Sequence, residues 1–337
     1  MKTNISPSTK IQEFDILRAL AILMLMVHHS EAYGLGFLGV SLEGFTAYIE
    51  AILLGIFFFI SGYFTERSFQ KHNKGSVSFF VPRALRIFPP YLLALSLYVF
   101  VLEVTLKKRD LFIYLMGTQF IFAPNYAKPI LTIWYVSAIL LFLFIFGLLL
   151  ANLHTTRGLM IGSGLIFAAA YALHQWTGLL DERFYKYFLV FLIGILFARL
   201  PRLTDSLSGG QVIQKLLFAI LCSFIFSLVL AFSPMSLLYI LGVVFFIIAW
   251  VVLLFALATR IKAPSILKLA GIISYASFFA YLLHRPIWKW LLDVFSVESW
   301  RDQVYFKMIP GSIFVFILSY FLQYGYDRLL VVFRQNK

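Results

Sequence analysis

The stretch FDILRALAILMLMVHHSEAYG, Phe14 to Gly34, joins a bilayer-length apolar run to Asp15, Arg18, His28 and His29. Charged and titratable groups at membrane depth are costly, so they usually face a protein interior and mark chemistry or a substrate path. Arg18 and His29 are eleven residues apart. In a helix that spacing puts them within about 20° of one face and about 16 Å apart along the axis. On such a face a guanidinium suits an anionic group, and an imidazole with its usual pKa of about 6.5 suits proton abstraction at neutral pH. Asp15, one turn before Arg18, can pair with it near the inner surface. His28 points away by about 80° to 100° and reads as a packing residue. The competing reading lets Arg18 snorkel to the cytoplasmic interface and leaves His29 among the outer headgroups.

Two further stretches carry chemistry. In VPRALRIFPPY, residues 81–91, Arg83 and Arg86 are i,i+3 neighbours at the mouth of an apolar segment, and Pro89-Pro90 distort its start. Paired guanidiniums suit phosphate through bidentate hydrogen bonds, or else anchor the chain to anionic lipid. GIISYASFFAYLLHRPIW holds Ser274, Tyr275, Tyr281 and His284, with His284 at about the level of His29. Arg285 and Lys289 beside it read as snorkelling groups. Trp134 and Tyr135 read as interfacial aromatics, and Ser61-Gly62 in FFFISGYF as a close helix contact. There is no HExxH, P-loop, GxSxG or close His/Cys cluster, and His29 with His284 lacks a third ligand, so no metal is expected.

These residues need helices to position them. The chain has 337 residues, 61% hydrophobic with 38 Phe and only 13% charged, more apolar material than one soluble core buries. The single Cys222 excludes an intramolecular disulfide. The expected fold is all-α: a polytopic membrane protein forming one domain over 1–337, with about ten spans. They fall near 14–33, 45–64, 87–106, 132–151, 158–174, 184–200, 216–232, 236–258, 269–290 and 308–327. The first run, after the polar MKTNISPSTK, is read as a retained span rather than a signal peptide. With both termini cytoplasmic, the whole formal charge of +13 falls on the inner side, which explains the basic balance without nucleic acid. Lys107, Lys108 and Arg109 resist this pattern by falling outside, and 107–131 reads as a half-span or re-entrant piece.

The ordered set FDILRALAILMLMVHH, FFFISGYF, RALRIFPPY, WYVSA, FLIGILFA and ISYASFFAYLLHRPI resembles the acyltransferase 3 family of bacterial membrane proteins, from about Ile11 to the last span. The family's arginine and histidine with ten residues between them match Arg18 and His29, and its Arg-x-x-Arg pair matches Arg83 and Arg86. WYVSA departs from the Trp-Ser-Leu then Glu pattern of many members, so a role for that Glu does not carry over. The chain also lacks the fused esterase-like domain of some relatives. The membrane domain must then transfer the group itself or pass it to another protein.

The resemblance implies a bacterial inner-membrane enzyme that moves an acyl group, often acetyl, from cytoplasmic acyl-CoA to a hydroxyl outside. The implied acceptors are surface polysaccharide, lipopolysaccharide O-antigen or a lipid-linked saccharide, with membrane lipid around the protein. On this reading Arg83 and Arg86 hold the CoA phosphates, Arg18 lies deeper on the route, and His29 is the general base. His284, Tyr275 or Tyr281 stabilises the oxyanion, or one tyrosine is acylated transiently. The alternative class is a transporter or flippase for a glycan, lipid or small solute, since intramembrane Arg and His also mark such paths.

Overall fold

A computed structural model describes residues 12–36, 42–72 and 76–335. The polar N-terminal segment and Lys74 of the basic loop lie outside the described residues. Every regular element among the described residues is helical. Each of the ten apolar stretches carries a helix: α1 (Gln12–His29), α2 (Thr46–His72), α3 (Ser76–Phe100), then, after the short α4 (Lys108–Leu115) and α5 (Gln119–Phe122), α6 (Trp134–Ile145). α7 (Thr156–Thr177), α8 (Arg183–Arg199), a short α9 (Pro201–Ser208), α10 (Val212–Val229), α11 (Leu237–Ala258), α12 (Pro264–Val294), a short α13 (Trp300–Phe306) and α14 (Ser312–Gln335) follow.

Among the described residues six helical segments are long and apolar enough to cross a bilayer, and a seventh follows if α8 and α9, bent by 100°, form one span. The bend falls at Leu200-Pro201, where proline cannot extend the preceding helix. α1 falls short because Glu13, Asp15 and Arg18 interrupt its apolar surface, and α6 with its π-helical turn (Phe146–Leu150) is a shorter apolar helix. The segment 107–131 holds only the short helices α4 and α5, and α5 with the turn at Gly117 folds back onto the start of α6. Phe120 stacks on Trp134, and Ser137 Oγ accepts from Phe120 N and donates to Gly117 O.

α1 lies at the centre, packed on α2, α11 and α12; α2 packs on α8, and α12 on α14. The α2–α8 contact is backbone on backbone. A Cβ on Gly62 would meet the Phe191 carbonyl oxygen at 2.0 Å, and one on Gly194 would meet that of Phe59 at 2.2 Å. Ser61-Gly62 is therefore a close helix contact, as its small residues suggest. Arg199 closes the far end of this pair, with Nε and Nη2 on the Glu66 carboxylate at 2.9 and 3.0 Å; Glu66 is buried and the Arg199 side chain is 11% exposed.

α3 departs from expectation. It begins at Ser76 and runs through Pro82, Pro89 and Pro90 without breaking. Pro89 has no N–H for the Leu85 carbonyl, and Tyr326 of α14 supplies the missing donor at 2.6 Å. The double proline thus tethers α3 to α14 rather than ending it.

Candidate active site

Two contacts hold α1 parallel to α12. At one end Ser274 Oγ donates to Asp15 Oδ1 at 2.8 Å; at the other His29 Nδ1 lies 2.7 Å from His284 Nε2, with the rings stacked. His284 is fully buried, and its Nδ1 lies 2.8 Å from the Tyr281 carbonyl and 3.1 Å from that of Ala280. Carbonyls only accept, so His284 Nδ1 carries a proton and, in the neutral ring, Nε2 holds a lone pair. His29 Nδ1–H then donates to that lone pair. This assigns the tautomer of His29: Nε2 is left as its proton acceptor.

His29 faces a cavity of about 220 Å³ whose polar lining includes His28, Glu50, Thr132, Arg183, Tyr281 and Arg285. Three buried atoms here lack a hydrogen-bond partner: His28 Nδ1, Thr132 Oγ1 and Arg285 Nε. Orphaned polar atoms converging on one cavity are what a polar ligand would satisfy. Arg183 is already occupied, paired bidentately with Asp181 and lying over the Trp134 ring at 3.9 Å.

Tyr281 is the wall between this cavity and a second one of about 390 Å³. Its hydroxyl donates to the Thr132 carbonyl. The second cavity is lined by Asp15, Arg18, Ser61, Arg86, Tyr135 and Tyr275 among others. Arg18, Ser61 and Arg86 also line a third cavity, of about 740 Å³, which adds Arg83. Arg18 therefore stands where two cavities meet, its guanidinium 5.0 Å from the centre of the Phe64 ring. The three form a row from the arginines of α3, past Arg18, to the histidines.

The expected site residues thus divide. Arg83, Arg86, Arg18, Tyr281 and His29 lie along the row in that order, with His284 behind His29, whereas Tyr275 does not reach the histidines. Its hydroxyl donates to Asp327 at 2.8 Å, beside Arg86, whose Nη2 is 3.6 Å from the same carboxylate. Tyr275 is also nine residues before His284, about 13.5 Å along α12. Arg83 folds back on its own helix, Nη1 donating to Phe79 O at 2.6 Å. His28 lines the outer cavity after all, because that cavity wraps around the end of α1. Arg285 turns into the cavity rather than snorkelling, while Lys289 pairs with Asp293 on the surface. Glu50 and Thr132 carry no signal in sequence; Arg285 carried one, its place beside His284.

Among the described residues, no group of three or more His, Cys, Asp or Glu side chains is placed to hold a metal ion. Comparison with curated proteins and with solved structures finds no match. The family comparison does: residues 11–325 match the Acyl_transf_3 family model, described as an acyltransferase domain. The chain is a member of the acyltransferase 3 family, a membrane acyltransferase.

Proposed function

We propose that the protein takes an acyl group, acetyl foremost, from cytoplasmic acyl-CoA and transfers it to a hydroxyl of a saccharide on the other side of a bacterial inner membrane. The acceptor is a surface polysaccharide or an O-antigen, and about ten crossings with both termini cytoplasmic bring the donor and acceptor sides to opposite ends of the cavity row. The observation that carries the reading is the row itself: arginines at one end, a paired base at the other, and one guanidinium between.

Arg83 and Arg86 bind the CoA phosphates as charge-assisted, bidentate partners. The narrow pantetheine arm follows the middle cavity past Arg18, which holds a donor oxygen. The thioester comes to rest at Tyr281, and the acceptor enters the outer cavity, where Glu50 accepts from sugar hydroxyls. His29 Nε2 removes the proton of the attacking hydroxyl as the new C–O bond forms. The carbonyl oxygen gains negative charge, and the unpartnered Arg285 Nε–H donates to it. Collapse breaks the C–S bond, and the proton on His29 passes to the departing CoA thiolate. His284 takes no proton; it holds His29 in the reactive tautomer. Direct transfer suits this arrangement better than a tyrosyl intermediate, because both Tyr275 and Tyr281 already donate their hydroxyl protons.

The test is transfer of labelled acetyl to a saccharide acceptor by His29→Ala and Arg18→Ala, each matched to wild type for membrane insertion. Near wild-type transfer by either variant would remove that residue from the mechanism. Relocation of unmodified saccharide without label would replace enzyme by transporter.

A further inference from the structure

Lys107, Lys108 and Arg109 put positive charge at the wrong end of the molecule for cytoplasmic anchoring. The structure gives two of them a setting. Lys107 and Arg109, with Lys128 from the following loop, line an open cavity of about 400 Å³. Its walls are tied down: Tyr114 Oη donates to Lys128 O and accepts from Ile130 N, both at 2.7 Å. Asn125 Nδ2 donates to Gly178 O at 2.8 Å.

The cavity also holds an unanswered acceptor. Asp110 is 4% exposed, and its Oδ2 accepts from Lys107 N at 3.3 Å. Its Oδ1 is buried and has no hydrogen-bond partner; the nearest cation, Arg109 Nε, stands 3.8 Å away, an ion-pair distance only. Lys128 Nζ reaches only Thr105 O and Oγ1, at 3.3 and 3.4 Å, so three cations against one carboxylate call for an anion, and the orphaned carboxylate oxygen calls for a hydroxyl donor. A phosphate ester bearing hydroxyl groups supplies both.

The surroundings say how such a group is presented. Beside the cavity α4 exposes Leu111, Phe112, Leu115 and Met116 on one face, Phe112 at 63%. An apolar helix face flanked by lysines is the pattern of a helix lying in a membrane interface, where it meets lipid chains. The cavity also lies close along the chain to the outer cavity of the candidate site. Lys128 lines the first, and Leu131 and Thr132 line the second. Four residues of chain span at most about 14 Å, so the two cavities are neighbours.

We propose that the Lys107–Arg109–Lys128 cavity binds the phosphate of a lipid-linked saccharide, with the lipid along α4 and the sugar directed into the His29 cavity. The fate of that sugar rests on the acyl-transfer reading above; the binding of the lipid phosphate does not. The site names the acceptor class as one delivered on a membrane lipid rather than as a free soluble saccharide.

The experiment reconstitutes the full chain in phosphatidylcholine nanodiscs doped with an isoprenyl diphosphate-linked disaccharide or, separately, with phosphatidylglycerol. Native mass spectrometry counts the lipid retained. Wild type should keep the isoprenyl diphosphate saccharide at least about tenfold over phosphatidylglycerol, and Lys107→Glu/Lys128→Glu should lose most of that preference. Its KM for the lipid-linked acceptor should rise about tenfold. Acyl-CoA affinity reports whether the variant is folded, and Lys107→Gln/Lys128→Gln replaces it if it is not. Equal retention by wild type and variant, or equal retention of the two lipids by wild type, would overturn the proposal. Retention without any acetyl transfer would leave it standing and sink the acyl-transfer reading instead.

Discussion

Replacing His284 by phenylalanine tests the pairing of the two histidines while keeping the buried volume filled. The substitution removes the acceptor 2.7 Å from His29 Nδ1 and leaves that N–H without its partner. An orphaned buried donor costs about 1–3 kcal/mol. If that cost falls on the reactive orientation of His29, kcat drops by roughly 5- to 150-fold, at 1.36 kcal/mol per decade. Loss of the base itself in His29→Ala should cost more, about 10² to 10⁴. The assay is single-turnover acetyl transfer from labelled acetyl-CoA, with KM for the donor measured alongside. Donor KM should stay within about twofold of wild type, because Arg83 and Arg86, proposed to bind the donor phosphates, lie at the opposite end of the cavity row. The decisive arm is the double variant His29→Ala/His284→Phe, which should be no slower than His29→Ala alone. If the two losses multiply instead, His284 acts on the substrate independently and the positioning argument is wrong.

Four further outcomes follow from the packing and the proposed donor end. Reversing charge in Arg83→Glu/Arg86→Glu should raise the acyl-CoA dissociation constant by about tenfold or more. By contrast Asp327→Asn should change it by less than about threefold, since the half-exposed Arg86–Asp327 pair is worth under about 1 kcal/mol; isothermal titration reads both. Glu66→Gln leaves Arg199 buried against a neutral partner and should cost about 3–5 kcal/mol, seen as a large fall in detergent melting temperature. Tyr326→Phe removes the donor to the Leu85 carbonyl that Pro89 already deprives of a partner, and should cost about 0.5–1.5 kcal/mol by the same melt.

The parts of this architecture that were legible in sequence are those set by local periodicity. Arg18 and His29 share a face because helical geometry fixes their angle, and each apolar run became a helix. Ser61-Gly62 was legible too, because only small residues let two backbones meet. What stayed hidden depends on partners far along the chain. The continuity of α3 through Pro89-Pro90 is supported by a hydroxyl 241 residues from Leu85, so the prolines alone read as a distortion of its start. Tyr275 and Tyr281 looked equivalent in sequence; Asp327 claims one, and the Thr132 carbonyl claims the other. Glu50 carries no signal in sequence, because the cavity it lines is closed by α12 and the 131–132 segment, far along the chain. His28 was turned away by helical angle, but a helix end presents its whole circumference to a cavity that wraps it.

Sidedness tests the central claim most directly. Proteoliposomes in one orientation would carry a saccharide acceptor sealed inside and labelled acetyl-CoA outside, with His29→Ala vesicles run in parallel. The account predicts label on the enclosed acceptor with wild type, and a loss of at least about a hundredfold with His29→Ala. No label on the enclosed acceptor with wild type, or enclosed acceptor labelled equally by both proteins, would contradict it.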